Sequence, residues 1–347
     1  MAWVAWVGLV VFSTAELNDV RRFYERRDDS PATPLVSLPG LASSLGLRQI
    51  IVKDESNRFG LPAFKSVGAR YAVERLLADV PQVVALAAAT AGNHGRAVAR
   101  TAREHGLPAR IYVPAGTAPA RVAALRSEGA TVTVTDVGYD DTVRRMAGDA
   151  AGAGWTVVSD TAWDGYEQIP RWIMAGYTRI LDEVVSEGLF RRVDPESVLI
   201  VVPAGVGSLA GAVAGWLLDT FADRRPRLAI VEPEGAACVQ ASLRAGGRTN
   251  LAHTEDTCMA PLRCAEVSTL AWPVLRDVVD HAVTVTDAQA EAAMRRFREP
   301  LPDDPPVNGG PCGAATLAAL VRLAEYGQAD RDTAALLINT EARTEAG

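Results

Sequence analysis

Two lysines are the residues of this sequence whose type and placement point most directly to chemistry. The chain carries 35 basic side chains of the Lys and Arg types, and only Lys53 and Lys65 are lysine. A lysine amine that loses its proton can attack a carbonyl and form a Schiff base, whereas an arginine guanidinium stays charged. Both lysines lie in one stretch, residues 52–65. We therefore expect this stretch to carry the reactive group, the alternative being that both are ordinary surface lysines.

The surroundings of the two lysines favour different roles. Lys65 follows the apolar residues 61–64, and burial among such residues pushes an amine toward its neutral form. Lys53 is followed by Asp54 and Glu55, whose negative charges favour a protonated amine. We therefore expect Lys65 to act as the nucleophile and Lys53 to form an ion pair with these acids.

A later glycine-rich loop has the composition of a phosphate-binding turn. It consists of Gly205, Val206, Gly207 and Ser208, between an apolar strand pattern at 198–202 and a helical pattern at 209–219. Small residues let backbone N–H groups point at an anion, and a helix N-terminus adds positive potential. The loop lacks the lysine of a Walker motif and is not a complete dinucleotide fingerprint. Close packing of the helix on the strand therefore stays an alternative to phosphate binding.

Three further segments place polar side chains where predicted strands end. Asn93 and His94 lie in a Gly-Asn-His turn, Asp160 follows a predicted strand, and Thr340 follows the last one. The carboxyl ends of parallel strands face the crevice in which ligands bind. There an amide can donate to a ligand oxygen, a carboxylate can take a proton, and a hydroxyl can face a ring nitrogen. The alternative for each is a structural role in a cap or turn, and for His94 we favour that role over a base.

The elements that must position these side chains follow from the periodicity of apolar residues. From residue 83 onward strand and helix patterns alternate, which is typical of parallel sheets covered by helices. The predicted strands are 49–53, 83–89, 109–114, 131–135, 155–159, 198–202, 228–231 and 334–339. The predicted helices are 17–26, 66–78, 96–105, 119–128, 139–154, 169–187, 209–219, 288–297 and 313–326. We therefore expect an α/β protein, and a length of 347 residues suggests two compact domains or one large α/β unit.

Composition excludes several classes of partner. The net charge of −7 argues against nucleic acid or an anionic membrane as the main partner. The four cysteines show neither a C-x-x-C pair nor a zinc-binding spacing, so we expect reduced thiols, no metal and a cytoplasmic protein. The apolar residues 1–12 are too few to span a bilayer, and we expect a strand there. Ser13 and Glu16 have the spacing of a capping box at a helix start.

Taken together, these residues resemble the fold-type-II pyridoxal-phosphate enzymes, the group that includes tryptophan synthase β, threonine deaminase and serine racemase. Within that group the chain is most similar to the diaminopropionate ammonia-lyases, from about Thr33 to the last residues. The matching segments are residues 33–36, 52–65, 139–143, 160–166, 205–207, 231–233, 258–260 and 340–341. The resemblance implies a two-domain fold with parallel-rich open sheets covered by helices. We expect a large cofactor-binding domain from residues 1–82 and 163–347, and a small domain from 83–162.

The resemblance also implies a role for each candidate residue. Lys65 would hold pyridoxal 5′-phosphate as an imine, and Asn93 would face the 3-oxygen of the cofactor. Thr340 would face the pyridine nitrogen, while the backbone N–H groups of the glycine loop (Gly205, Val206, Gly207, Ser208) would hold the phosphate. The implied reaction is β-elimination from 2,3-diaminopropionate or a related β-substituted L-alanine, through an aminoacrylate, to pyruvate and ammonia. Lys65, once freed, would be the base that removes the Cα proton, and Asp160 would be the carboxylate that the family retains.

Three positions depart from the pattern of that family. Ala91 stands where the family has Asp, and the related racemase has its second acid/base group at that position, so we expect a preference for the L-isomer. Arg263 stands where the family has Ala and Pro311 where it has Glu, and we expect Arg263 to bring a cation near the cofactor. These departures keep two alternatives open: a β-replacement synthase that traps the aminoacrylate with a nucleophile, and a degenerate relative that only binds the cofactor. Beyond a small amino-acid substrate, the resemblance implies a homodimer.

Overall fold

The computed structural model describes residues 11–80 and 82–343 of the chain. Almost all of the strand that we expected at residues 1–12 lies outside the described residues. The first helix begins directly after Ser13, and its capping box is confirmed: the Ser13 hydroxyl accepts from the Glu16 N–H, and the Glu16 carboxylate accepts from the Ser13 N–H. Two backbone N–H groups that the first turn of the helix leaves unpaired are satisfied in this way.

Strands and helices alternate along most of the described chain. The strands are β1 Leu35–Ser37, β2 Gln49–Asp54, β3 Leu86–Ala89, β4 Ala109–Val113, β5 Ala130–Val134, β6 Thr156–Val157, β7 Val198–Pro203, β8 Arg227–Pro233, β9 His281–Val285 and β10 Ala334–Asn339. The helices of the first half are α1 Thr14–Glu25, α2 Pro39–Leu45, α3 Lys65–Asp79, α4 Asn93–Glu104, α5 Pro119–Ser127, α6 Tyr139–Ala153 and α7 Gln168–Tyr177. Those of the second half are α8 Arg179–Ser186, α9 Leu189–Arg192, α10 Ser208–Phe221, α11 Cys238–Ala245, α12 Trp272–Val278, α13 Asp287–Arg298 and α14 Pro311–Glu325.

The strands form two sheets. The larger has the order β1-β2-β10-β7-β8-β9, in which only β1 runs antiparallel to its neighbour. The smaller has the order β5-β4-β3-β6, and all of its pairings are parallel. The α/β fold class with parallel-rich sheets is therefore confirmed, whereas the domain boundaries at 82/83 and 162/163 stay a prediction. No helix in the described ranges is long and apolar enough to cross a membrane.

The core lies between the larger sheet and the helices on its two faces. Every residue of β7 and of β10 is buried, which explains why both read as unbroken apolar runs rather than as alternating patterns. Alternate residues of β10 enter different clusters: Leu336 and Ile338 face one layer of helices, whereas Ala335 and Leu337 face the other. A sheet covered on both faces leaves the ends of its strands as the place for polar chemistry.

Some predictions about elements were wrong. The long helix expected at 169–187 is two helices, which are separated at Thr178, where the backbone N–H bonds the Ala175 carbonyl three residues back (3.1 Å) instead of four. The sequence reading missed β9 and the helices α9, α11 and α12, which are short and have little room for a periodic signal.

The expected ion pair of Lys53 forms, but with another partner. Lys53 and Asp54 are neighbours on β2, so their side chains point to opposite faces of the sheet. The fully buried Lys53 amine donates to the Glu183 carboxylate (2.7 Å) and to the Thr33 carbonyl (2.6 Å). Glu183 also accepts from the buried Arg58, which in turn binds Glu55 (2.6 Å). The stretch 52–65 is thereby tied to α8 through buried charges.

Candidate active site

Lys65 is the first residue of α3 and lies against the end of β10. The Phe64 N–H donates to the Thr340 carbonyl (3.1 Å), and Ala63 forms a bridge with Glu341. The chain segment before Lys65 is thus hydrogen-bonded to the segment that carries Thr340, although 275 positions separate the two residues, as 340 minus 65 gives. Two of the residues that the sequence singled out therefore lie side by side.

Asp160 faces Lys65. The Lys65 amine donates to the Asp160 carboxylate at 2.5 Å, and the two side chains are 22% and 19% exposed. Burial works against both charges, but the attraction within the pair is stronger. It raises the pKa of Lys65 above its ordinary value and holds the pKa of Asp160 well below its usual range. Our expectation that apolar neighbours make this amine neutral was therefore wrong, because the sequence does not reveal that Asp160 lies opposite.

His94 lies behind Asp160. One ring nitrogen, Nε2, is 2.9 Å from the Val158 carbonyl, and the other, Nδ1, is 3.9 Å from the Asp160 carboxylate. The ring is buried, and its bond to Val158 ties the start of α4 to the segment after β6. The structural role that we favoured for His94 agrees with this contact, and its other nitrogen adds a polar atom on the far side of the carboxylate.

The glycine loop closes the site from the side of α10. Gly207 has φ +90°, a left-handed conformation, and a Cβ there would lie 2.8 Å from the Leu275 side chain. A Cβ at Gly205 would lie 3.1 Å from the Cys264 sulfur. Only glycine fits Gly207 without strain, and the result is a short loop whose backbone leads directly into the N-terminus of α10. Such a turn offers free N–H groups and positive helix-end potential to a phosphate.

The same loop is hydrogen-bonded to the segment that carries Asp160. The Ser208 hydroxyl donates to the Asp160 carbonyl (2.6 Å), so the side chain of Ser208 is engaged and its backbone N–H is the group left for an anion. The Val206 carbonyl accepts from the Ser268 N–H (2.9 Å), and the Ser268 hydroxyl accepts from the Ala162 N–H (3.2 Å). These bonds fix the spacing between the loop and the carboxylate.

Asn93 and Glu341 form a pair that connects the smaller sheet to the larger one. Asn93 is the first residue of α4, and its amide donates to the Glu341 carboxylate (3.0 Å) instead of capping its own helix. The other oxygen of Glu341 accepts from the Cys312 N–H at the start of α14 (3.3 Å). Burial raises the pKa of Glu341. Our reading of the sequence gave Glu341 no role, and the only signal for one was its place next to Thr340.

The three departures from the family pattern lie at different distances from this chemistry. The Arg263 guanidinium pairs with Asp256 and Thr254 on its own loop, so the cation that we expected near the cofactor is bound elsewhere. Pro311 is the first residue of α14 and directly precedes Cys312. Ala91 is partly buried in the turn before α4 and packs against the core with its methyl group.

The site has the donor set that pyridoxal phosphate requires. An amine at Lys65 can bond to an aldehyde, a glycine cradle that excludes a Cβ can take a phosphate, and the amide of Asn93 can face a ring oxygen. Among the described residues there is no group of His, Cys, Asp and Glu that could hold a metal ion. The residues present therefore fit this cofactor.

The comparisons with known proteins agree with that chemistry. The family model for pyridoxal-phosphate dependent enzymes matches residues 28–341, so the chain belongs to this class, in its fold-type-II branch. It is 37% identical to the diaminopropionate ammonia-lyase of Escherichia coli K12, over 96% of this chain and 90% of that protein. The enzyme of Salmonella typhimurium is 36% identical, over 94% of this chain and 89% of its own length. The chain is thus a member of the diaminopropionate ammonia-lyase family and a pyridoxal-phosphate-dependent C–N lyase.

A solved structure extends this agreement to the fold. The Escherichia coli diaminopropionate ammonia-lyase, in complex with an aminoacrylate–pyridoxal-phosphate azomethine reaction intermediate, superposes with a TM-score of 0.88 at 37% identity. The superposition covers 96% of this chain and 90% of that one. The fold expected from the resemblance is therefore confirmed over nearly the whole chain.

Proposed function

We propose that this protein catalyses β-elimination of 2,3-diaminopropionate, converting it with one water to pyruvate and two molecules of ammonia. The observation that carries the proposal is the Lys65–Asp160 pair at 2.5 Å, with the glycine loop hydrogen-bonded to the same segment through Ser208. An amine, a carboxylate and an anion cradle are the three groups that elimination on this cofactor needs. Family membership at 37% identity supports the same substrate.

The residues divide the work according to their positions. Bound pyridoxal phosphate supplies an aldehyde that condenses with amines and a ring that draws electrons away from the Cα–H bond. We assign to Lys65 the covalent attachment of the cofactor and, once it is displaced, the removal of the Cα proton. Asp160 is within hydrogen-bond distance of the Lys65 nitrogen and can exchange a proton with it.

The remaining residues hold the cofactor in place. In this proposal the N–H groups of the loop formed by Gly205, Val206, Gly207 and Ser208 bind the phosphate. Asn93, whose amide donates to Glu341, would face the 3-oxygen, and the hydroxyl of the buried Thr340 would face the ring nitrogen.

We further propose that the enzyme prefers the L-isomer of its substrate. Ala91 has a methyl group where a carboxylate would give a second acid/base group in the Gly-Asn-His turn. With Lys65 and Asp160 paired on one side, protons move on one face of the substrate only. Comparable turnover of D-2,3-diaminopropionate would contradict this part of the proposal.

The test is product analysis with the purified protein and pyridoxal phosphate. We expect pyruvate and ammonia in a ratio of one to two from L-2,3-diaminopropionate, and their absence would contradict the proposal. The same assay with added thiol or amine nucleophiles addresses β-replacement, for which the motivating residue, Arg263, is bound to Asp256. A new amino acid in place of pyruvate would favour that alternative. A protein that binds the cofactor but converts nothing would be the degenerate relative.

We also propose that the enzyme works in the cytoplasm as a homodimer. All four cysteines are free thiols, as we expected, and this suits a reducing compartment. The small amino-acid substrate is consistent with the family. Light scattering of the purified protein measures the assembly directly, and a monomer mass at micromolar concentration would contradict the homodimer.

A further inference from the structure

Tyr177, at the end of α7, is a buried polar residue that the proposed mechanism leaves without a task. The residue is fully buried, and its hydroxyl has no hydrogen-bond partner within the described ranges. An unpaired hydroxyl in a dry interior is costly, so such groups are rare and call for an explanation. Tyr24 offers a contrast: it is equally buried, and its hydroxyl donates to the Val67 carbonyl at 2.5 Å.

Tyr177 lies beside the reactive lysine, close enough for the charge of Lys65 to oppose the rise in the pKa of the Tyr177 hydroxyl that burial causes. The Lys65 nitrogen is 5.8 Å from the centre of the Tyr177 ring and 5.0 Å from that of Phe64, and the two rings contact each other at 4.8 Å. Two glycines permit this approach. A Cβ at Gly68 would lie 2.5 Å from the Tyr177 ring, and one at Gly176 would lie 2.9 Å from the Gly68 Cα. The first turn of α3, which begins at Lys65, is therefore pressed against the end of α7.

The charge state of Lys65 decides whether its nitrogen can accept a hydrogen bond from this hydroxyl. Burial raises the pKa of Tyr177, and Lys65 counteracts this rise only in part, so the hydroxyl keeps its proton at neutral pH. The Lys65 amine is engaged by Asp160, and an ammonium can only donate, so it cannot accept the O–H hydrogen of Tyr177. Once the same nitrogen is neutral, it has a lone pair that can accept this hydrogen.

We propose that Tyr177 is a positioning residue for Lys65, whose hydroxyl donates a hydrogen bond to the Lys65 nitrogen whenever that nitrogen is not paired as an ammonium with Asp160. The inference deepens the proposed function and rests on it. In the working enzyme the bond holds the displaced amine near the Cα proton and stabilises its neutral form. No proton is transferred from Tyr177 in this scheme; the hydroxyl only supplies a donor.

The first test compares the stability of two matched variants without cofactor. In the apoprotein we expect Tyr177→Phe to leave the urea midpoint unchanged or to raise it, because it removes a buried hydroxyl that has no partner. Tyr24→Phe should lower the midpoint, because it removes a buried hydrogen bond. A loss in Tyr177→Phe as large as that in Tyr24→Phe would mean that the hydroxyl has a partner in the apoprotein, and would overturn the proposal.

The second test reads the protonation of the Lys65 nitrogen from the visible absorption of the holoprotein as a function of pH. The ionisable groups that face this nitrogen are Asp160 after β6, Cys264 in the loop before α12, Cys312 in α14 and Tyr177, with His94 behind Asp160. Loss of a donor to the neutral nitrogen favours its protonated form. In Tyr177→Phe the midpoint of the spectral change should therefore rise, by about half to one pH unit.

A control variant and distinct outcomes separate a failure of this inference from a failure of the proposed function. Tyr24→Phe should leave the spectral midpoint where it is in the unsubstituted protein. Spectra of Tyr177→Phe that match the unsubstituted protein at every pH, or a midpoint that falls, would overturn the positioning role. If the unsubstituted protein shows no visible band with pyridoxal phosphate, the proposed function fails, and this inference fails with it. Neither reading needs turnover of any substrate.

Discussion

At the scale of single residues, the chemistry depends on the pairing of Lys65 with Asp160. The pair keeps the amine protonated and the acid ionised, since each charge lowers the cost of burying the other. In our proposal Lys65 would offer no ammonium while it holds the cofactor, and Asp160 would then be free to interact with the substrate. We therefore propose that the carboxylate contributes to both the resting site and the reaction.

Asp160→Asn tests this contribution. We expect kcat to fall by about 10²- to 10⁴-fold, the usual loss when a positioned proton-transfer group is removed, while the cofactor stays bound. Asp164→Asn is the matched control, since Asp164 is exposed in the same loop and should not affect kcat. Steady-state kinetics and cofactor content measure both effects, and an unchanged kcat in Asp160→Asn would remove this residue from the mechanism.

Sequence alone predicts which residues form this candidate site better than it predicts their protonation states. Our assignment of Lys65 as the reactive amine follows from residue type, because arginine supplies every basic side chain of the Lys and Arg types outside this stretch. The protonation state of Lys65 could not be predicted, because its partner Asp160 is 95 residues away in the sequence and only the fold brings the two side chains together. Tyr177 gave no signal, because a tyrosine in an apolar helix reads as ordinary core.

At the scale of elements, strand-to-helix turns bring the groups of the site together. Asn93 and Ser208 are the first residues of α4 and α10, and Lys65 is the first of α3. Helix N-termini therefore converge on one region, and their unpaired N–H groups and dipoles favour an anionic ligand. The fixed conformation of Gly207 is what allows the turn before α10 to be so short.

Gly207→Ala tests whether this turn binds the phosphate. Alanine at this position would have to adopt a left-handed backbone conformation, and its Cβ would lie 2.8 Å from Leu275, so the loop must shift. We therefore expect the Kd for pyridoxal phosphate to rise at least tenfold. Gly246→Ala controls for strain alone, because Gly246 is also left-handed (φ +70°) and has open space around it. Equal Kd values for the two variants, measured by fluorescence titration, would place the phosphate elsewhere.

The sequence predicted the long elements well and the breaks poorly. Strands such as β7 and β10 read clearly because both of their faces are buried. The break at Thr178 depends on a single backbone bond to Ala175, which no periodic pattern encodes. The order of strands, with β10 between β2 and β7, also lies beyond periodicity, because it joins the last strand to one of the first.

At the scale of the whole molecule, a buried set of charges supports the segment that carries Lys65. Lys53, Glu55, Arg58 and Glu183 are all buried, and they connect β2 and the following loop to α8. Burial opposes ionisation of Glu183, but the hydrogen bonds and charges of Arg58 and Lys53 lower its pKa below the ordinary value. Removal of one member of this set strongly destabilises the folded protein, because it leaves another charge buried and unpaired.

Lys53→Met should therefore destabilise the protein strongly. We expect a loss of about 3–5 kcal/mol in the free energy of unfolding, since Glu183 loses its ammonium partner in the interior. Arg224→Ala serves as the control, because the Arg224–Glu196 pair is exposed and should make no measurable difference. Urea unfolding measures both, and a loss in Lys53→Met no larger than in Arg224→Ala would show that the buried pair has no such role.

The central claim is that the nitrogen of Lys65 bonds covalently to pyridoxal phosphate and that turnover depends on this bond. Lys65→Arg is the most direct test, because arginine keeps the positive charge facing Asp160 but cannot form the bond. The measurement is the visible absorption of the purified protein with cofactor, read beside pyruvate release from 2,3-diaminopropionate. We predict that Lys65→Arg folds but loses both the visible band and pyruvate release. A variant that keeps both unchanged would contradict the assignment.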